Sequence, residues 1–234
     1  MGEYGYVSEN YSALLREISG YEKLYGRKIT LVAVTKSGSD DELIALAKAG
    51  VTDIGENRPG ELRRRAQLLR DHGYAPRLHE IGNLQRNKVK LIADISHLIH
   101  SVGKIELAEE INAQAQKLGI KIPVLIEVNS AKEEFKGGVY PEDAVSLFLK
   151  VRSLPHLSVQ GLMTMGPALD DAELMRPYFK LTKELFDRIN ADYGFDGDGI
   201  LSMGMSDSYA VAIEEGSTLI RVGRKLFEKT KGDR

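Results

Sequence analysis

A chain of 234 residues that is 42% hydrophobic can bury a sizeable core, and the absence of cysteine excludes disulfides, cysteine-ligated zinc and thiol nucleophiles. A formal net charge of −2 gives no broad pull toward nucleic acid or anionic lipid. The amino-terminal "MGEYGYVSENYSALL" lacks the basic-then-apolar pattern of a signal peptide, and no apolar run approaches the ~18–20 residues of a membrane span, so a cytoplasmic protein without nucleic-acid or membrane partners is expected.

A helix is expected first, around residues 9–19. Short apolar runs then alternate with helical patterns. "TLVAVTK" leads to a helix beginning near Ser39 and Asp40, good N-cap types. "VTDIG" leads to "PGELRRRAQLLRDHG", with Pro59 suited to a first turn. "RLHEIG" precedes the helical-looking "QRNKVKLIAD". "ISHLIHSV" precedes "KIELAEEINAQAQKLG", whose Gly119 suits a C-cap. "IKIPVLIEVN" leads to "PEDAVSLFLKVRSL", and "LSVQGLMTM" to the long "DDAELMRPYFKLTKELFDRINADYG". "GILSMG" leads to "SDSYAVAIEEG", and "STLIRVG" comes last.

Eight strand candidates alternating with helices predict parallel strands joined by helical crossovers, closed into a (β/α)8 TIM barrel with an extra N-terminal helix, one domain over residues 1–234. An open doubly wound sheet would normally carry a glycine-rich turn after its first strand, and "TKSGSDD" has a single glycine there.

The working face of such a barrel is the C-terminal end of its strands. Lys36, Asn57, Asn83, Asn129, Ser202, Arg221 and Gly223 fall at those ends. Strand alternation puts Val32, Val34 and Lys36 on one face, and Leu219, Arg221 and Gly223 on the inward face of the last strand. Two cations then point into the barrel mouth, where isolated charge is expensive. Pairing with acids such as Glu56 or Glu127 is one explanation, and the pattern alone leaves it open. The other is an anionic ligand. The turns after the last two strands, "SMGMSDS" with Ser202, Gly204 and Ser206, and "RVGRK" with Gly223, have the small residues of a phosphate site. A phosphate on one side and a lysine on the other point to pyridoxal 5′-phosphate, held as a Schiff base on Lys36. A desolvated setting beside a second cation favours the free amine that condensation requires. Arg221 by the pyridine nitrogen would weaken the ring as an electron sink, because an arginine only donates.

The stretches "LVAVTKSGSDDELIALAKAGVTDIGENR", "HEIGNLQRNKVK", "LIHSVGKIELAEEIN", "GLMTMGP" and "LSMGMSDSYAVAIEEGSTLIRVG" resemble the pyridoxal-phosphate homeostasis protein family, single-barrel relatives of alanine racemase. The resemblance runs from about residue 8 to 228. It implies an alanine-racemase-like barrel with Lys36 as the covalent lysine. It further implies phosphate contacts from Ser202, Ser206 and the amides around Gly223, Arg221 at the pyridine nitrogen, and Asn57 lining the cofactor. It also implies a monomer that binds and delivers the cofactor in vitamin B6 homeostasis, PLP-dependent apoenzymes being the recipients, without settled turnover. The chain departs from the family pattern at Leu78, Asn83, Pro59, Gly60 and Arg224, where tryptophan, histidine, valine, glutamine and threonine are usual. Arg224 either joins the phosphate contact or faces solvent.

Other features have plainer explanations. Arg63 to Arg65 read as a solvated helix face, with Glu61–Arg65 an i,i+4 pair. His97 and His100 cannot share one side of a strand, so a metal site is not expected. Met163, Met165, Met203 and Met205 read mostly as packing, some of them bracing a cofactor ring. "GFDGDG" reads as a turn rather than a calcium loop. The competing function is a PLP-dependent amino-acid racemase. That chemistry needs an acid or base opposite Lys36, which alanine racemases take from a second domain and a partner subunit. Only about a dozen residues follow the last strand candidate.

Overall fold

The computed structural model describes residues 3–167 and 169–229. Eight parallel strands close on themselves in sequential order: β1 (Thr30–Val34), β2 (Asp53–Glu56), β3 (Arg77–Glu80), β4 (Leu98–Val102), β5 (Ile122–Val128), β6 (Leu157–Thr164), β7 (Ile200–Ser202) and β8 (Leu219–Val222). The closing pair is β1 with β8, in a register that sets Val32 beside Arg221. The expected closed α/β barrel is therefore the observed fold.

Alternation along the strands sorts side chains into two apolar layers. Val32, Leu98, Leu125, Met163 and Leu219 meet on the barrel axis. Leu31, Ala33, Ile220 and Val222 turn outward into the larger core against the helices. Burial of each such side chain contributes about 1.5–3 kcal/mol.

The helices are α1 (Gly5–Tyr25), α2 (Asp40–Lys48), α3 (Pro59–Asp71), α4 (Ile105–Leu118), α5 (Ala144–Arg152), α6 (Arg176–Asp192), α7 (Tyr209–Glu214) and α8 (Arg224–Phe227). α1 is longer than its central pattern predicts. It buries Val7, Tyr11, Leu14 and Ile18, spaced as one helical stripe, and ends only at Gly26 in the left-handed region. α2 starts where expected, with Ser39 and Glu42 forming a reciprocal capping box. Pro59 opens α3, and Gly119 closes α4 in the left-handed conformation.

The connection after β3 differs from expectation. It is a 3-10 helix over Arg86–Leu91, not an α-helix, and it buries only Val89. With cations at Arg86, Lys88 and Lys90 the segment has no apolar stripe to support an α-helix. The short α8 after β8 has no periodicity to announce it. Among the described residues, no helix is long and apolar enough to cross a membrane.

Candidate functional site

Lys36 lies in the tight turn between β1 and the Ser39 cap of α2. That turn is held from beneath by Arg65 of α3, whose guanidinium donates to the Thr35 carbonyl at 2.5 Å and the Gly38 carbonyl at 2.8 Å. Arg65 also pairs with the buried Glu56 carboxylate at 3.1 Å, which accepts from the Thr35 hydroxyl at 2.6 Å. The solvated face expected for the three arginines is thus wrong at Arg65: it is buried, because four oxygens of the Lys36 turn and its surroundings require a rigid fork of donors. Arg63 and Arg64 do lie at the surface, paired with Asp94 and Asp40.

Lys36 itself is exposed, not desolvated as expected, because the chain has left the strand by Thr35. The residue lines a cavity of about 530 Å³ at the C-terminal mouth of the barrel. Asn57, Ser206, Arg221 and Gly223 line the same cavity, as do Asn83 and Arg224. Gly82 brings Asn57 into place, since a Cβ at residue 82 would lie 2.2 Å from the Asn57 carbonyl oxygen.

Across the mouth, Gly223 N–H donates to Ser206 Oγ at 3.2 Å. A Cβ on Gly223 would lie 3.0 Å from the Val34 carbonyl oxygen, so any larger residue crowds β8 against β1 where it leaves the barrel. Arg224 lines the cavity, is largely exposed, and pairs with Asp207. Met163 and Met203 are buried packing, whereas Met165 and Met205 reach the cavity wall. Phe135, 98% exposed, forms a bare aromatic lip.

Arg221 is buried and donates to Ser202 Oγ at 2.5 Å and to the Thr164 carbonyl at 3.0 Å. Burial lowers its pKa to about 10, against the opposing pull of Glu127. Glu127, on the cavity wall, is pushed up by burial to about 7, with Arg221 drawing it the other way. Among the described residues, neither Lys36 nor Arg221 forms an ion pair with Glu56 or Glu127. Glu56 is taken by Arg65. The acid-pairing explanation of the two cations therefore fails.

Ser202 departs from its expected position. It is fully buried, lies beneath Arg221 outside the cavity wall, and has its hydroxyl engaged by Arg221 and by His100 Nδ1 at 3.0 Å. The reason is parity: Ser202 is the last residue of β7 and points to the axis, whereas Ser206 follows the turn that carries it over the rim.

Below Ser202 runs a polar seam that sequence reasoning missed. His100 Nε2 lies 3.0 Å from His79 Nδ1, and His79 Nε2 lies 2.9 Å from Asp53 Oδ1. Spacing between His97 and His100 gave no warning that β3 would supply His79 as a neighbour of both rings, with centroids 5.6 Å and 5.2 Å away. The available signal was that His79 and His100 occupy inward positions on adjacent strands. Among the described residues there is no cluster of three metal-ligating side chains.

The family model described as "Alanine racemase, N-terminal domain" matches residues 10–230. A pyridoxal phosphate homeostasis protein of Aquifex aeolicus (strain VF5) is 41% identical over 201 residues, which cover 86% of this chain and 87% of that protein. The chain belongs to the pyridoxal phosphate homeostasis protein family. A second family member, from Helicobacter pylori (strain ATCC 700392 / 26695), is 33% identical over 93% of this chain and 96% of its own length. PipY of Synechococcus elongatus PCC7942, a structure solved with PLP bound, superposes with a TM-score of 0.81 at 26% identity, covering 95% of this chain and 100% of that one. Alanine racemase of Clostridium difficile 630, at 18% identity and a TM-score of 0.75 over 95% of this chain and 56% of that one, shares the fold.

Proposed function

We propose that this protein captures pyridoxal 5′-phosphate on Lys36 and takes part in intracellular vitamin B6 homeostasis. One observation carries the reading: Lys36 lines a single cavity with Ser206, Gly223 and the buried Arg221. The residues fit the group, since a lysine amine, the Ser206 hydroxyl beside the Gly223 amide, and a buried donor match an aldehyde, a phosphate and a ring nitrogen. The names of the curated relatives and the PLP-bound PipY structure support the same reading.

When bound, the group supplies a phosphorylated aldehyde that a lysine amine takes up reversibly as a Schiff base. Lys36 provides that amine, presented by the turn that Arg65 clamps. Ser206 and the Gly223 amide receive the phosphate, and Asn57 lines the ring. Ser202 takes no phosphate in this reading; it holds Arg221. Arg221 would offer a donor to the pyridine nitrogen and so disfavour its protonation. A weak electron sink suits storage and hand-over better than carbanion chemistry, which usually has an acidic partner at that nitrogen. The working form is a cytoplasmic monomer, and PLP-dependent apoenzymes receive the cofactor. A racemase needs a second acid or base opposite Lys36, and no tyrosine or histidine lines the cavity among the described residues.

The test is incubation with pyridoxal phosphate, borohydride reduction and peptide mapping. A visible absorption band should appear, bleach on reduction and leave the label on Lys36, with amino-acid racemisation at background. Label on other lysines with Lys36 unmodified would overturn the reading.

A further inference from the structure

Arg221 is the end of a hydrogen-bonded chain that crosses the barrel. It runs from Arg221 on β8 to Ser202 on β7, across the axis to His100 on β4, then to His79 on β3 and Asp53 on β2. Asp53 is met from outside by Arg77 at 2.6 Å and by the Thr52 hydroxyl at 2.8 Å. Ser202, His100, His79 and Asp53 are all buried, yet none of them lines the Lys36 cavity.

Chemistry fixes both ends of the chain. A guanidinium only donates, so the Ser202 oxygen must accept from Arg221. Asp53 is buried, which opposes ionisation, but hydrogen bonds from His79, Arg77 and Thr52 hold its carboxyl down to about 2. An ionised carboxylate only accepts, so His79 Nε2 carries a hydrogen. One proton on each ring then orders the rest: Ser202 O–H to His100 Nδ1, and His100 Nε2–H to His79 Nδ1. Every buried polar atom along the path is satisfied in that arrangement.

We propose that Asp53, His79 and His100 are positioning residues that act on the ligand through Arg221. By fixing the proton direction of Ser202 they present its oxygen to the guanidinium, and so hold Arg221 in one place and one donating orientation. Burial drives His100 away from its charged form, in keeping with a single proton on that ring. The charged and titratable neighbours are Arg77 and His97 beside His79, Tyr11 of α1 near Asp53, and Glu127 near Arg221.

The experiment begins with the native protein, ¹⁵N-labelled at histidine and free of ligand. Long-range ¹H–¹⁵N spectra should show Nδ1 unprotonated and Nε2 protonated on both His100 and His79. In Asp53→Asn the amide carbonyl turns to Arg77 and its N–H to His79, which reverses both tautomers. Affinity for pyridoxal phosphate should then fall roughly three- to tenfold, although residue 53 lies outside the cavity. Ser202→Ala should lower affinity at least as much while leaving His79 as in the native protein, and it serves if Asp53→Asn does not fold. A protonated Nδ1 on native His100 would overturn the proposal, as would variants that bind with native affinity. The affinity arm rests on the proposed function, but the tautomer arm uses no cofactor, so the two can fail separately.

Discussion

Arg65 and Lys36 are coupled through two carbonyls: the guanidinium fork bonds the oxygens of Thr35 and Gly38, which bracket the lysine in the chain. The barrel thus presents an exposed amine from a turn whose backbone is fixed from inside by a neighbouring helix.

Replacing Arg65 should therefore loosen Lys36 before it unfolds the barrel. Arg65→Lys keeps the charge near Glu56 but loses the fork, and is expected to cost about 1–2 kcal/mol in urea unfolding. Arg65→Met leaves the buried Glu56 unpaired and should cost about 3–5 kcal/mol. In both variants the rate of borohydride-trapped labelling at Lys36 should fall at pH 7, with the larger loss in Arg65→Met.

Gly223→Ala tests the cradle. The new methyl meets a backbone oxygen at 3.0 Å and the Val34 Cβ at 3.3 Å, and a carbonyl in a closed barrel has little room to retreat. A stability loss of about 1–3 kcal/mol is expected. Affinity for inorganic phosphate should drop with it, as read by calorimetry.

Stability should decline with rising pH above the ordinary histidine range; below it His100, kept from its charged form by burial, supplies an opposing slope. Burial pushes Glu80 up to about 8, the Gly82 N–H pulling it down and the nearby Glu56 carboxylate pushing it further up. The native protein thus keeps a proton that the unfolded chain releases, an advantage complete at low pH and lost as pH climbs toward about 8. Glu127, pushed up to about 7, adds to the same slope. Asp53 acts oppositely, but its contribution is whole above the ordinary aspartate value and fades only as pH falls toward about 2. Unfolding free energies from denaturant titrations across about pH 6.5 to 8 should fall by at most about 1.4 kcal/mol per unit for each group. Glu80→Gln should flatten that decline.

Lys36→Ala should keep the native melting temperature within a degree or two without ligand, because the exposed side chain has no ion-pair partner among the described residues. It should gain no stability when pyridoxal phosphate is added, whereas the native protein gains in proportion to occupancy. Differential scanning calorimetry with and without the cofactor separates these outcomes.

The barrel was legible because period-two strands alternate with period-3.6 helices in all but the connection after β3, and the inward parity of Val32 and Arg221 could be counted residue by residue. The rim was legible in the turns that follow the strands, as with Lys36, Asn57, Ser206 and Gly223. What was hidden depends on long-range partners. Arg65 looks like its two neighbours until α3 lies against the Lys36 turn. Ser202 and Ser206 look equivalent until one is inside the barrel and the other over its edge. His79 and His100 are 21 residues apart, and only closure of the sheet puts their rings within reach.

The seam from Arg77 to Arg221 also constrains how this barrel can drift. Where Val32, Leu98 and Leu125 meet, one aliphatic group can replace another singly, at the expense of some packing. Along the seam a lone replacement strands a donor or an acceptor in the dark. Positions 79 and 100 should thus vary as a couple across relatives, each accepted change at one matched by a compensating change at the other.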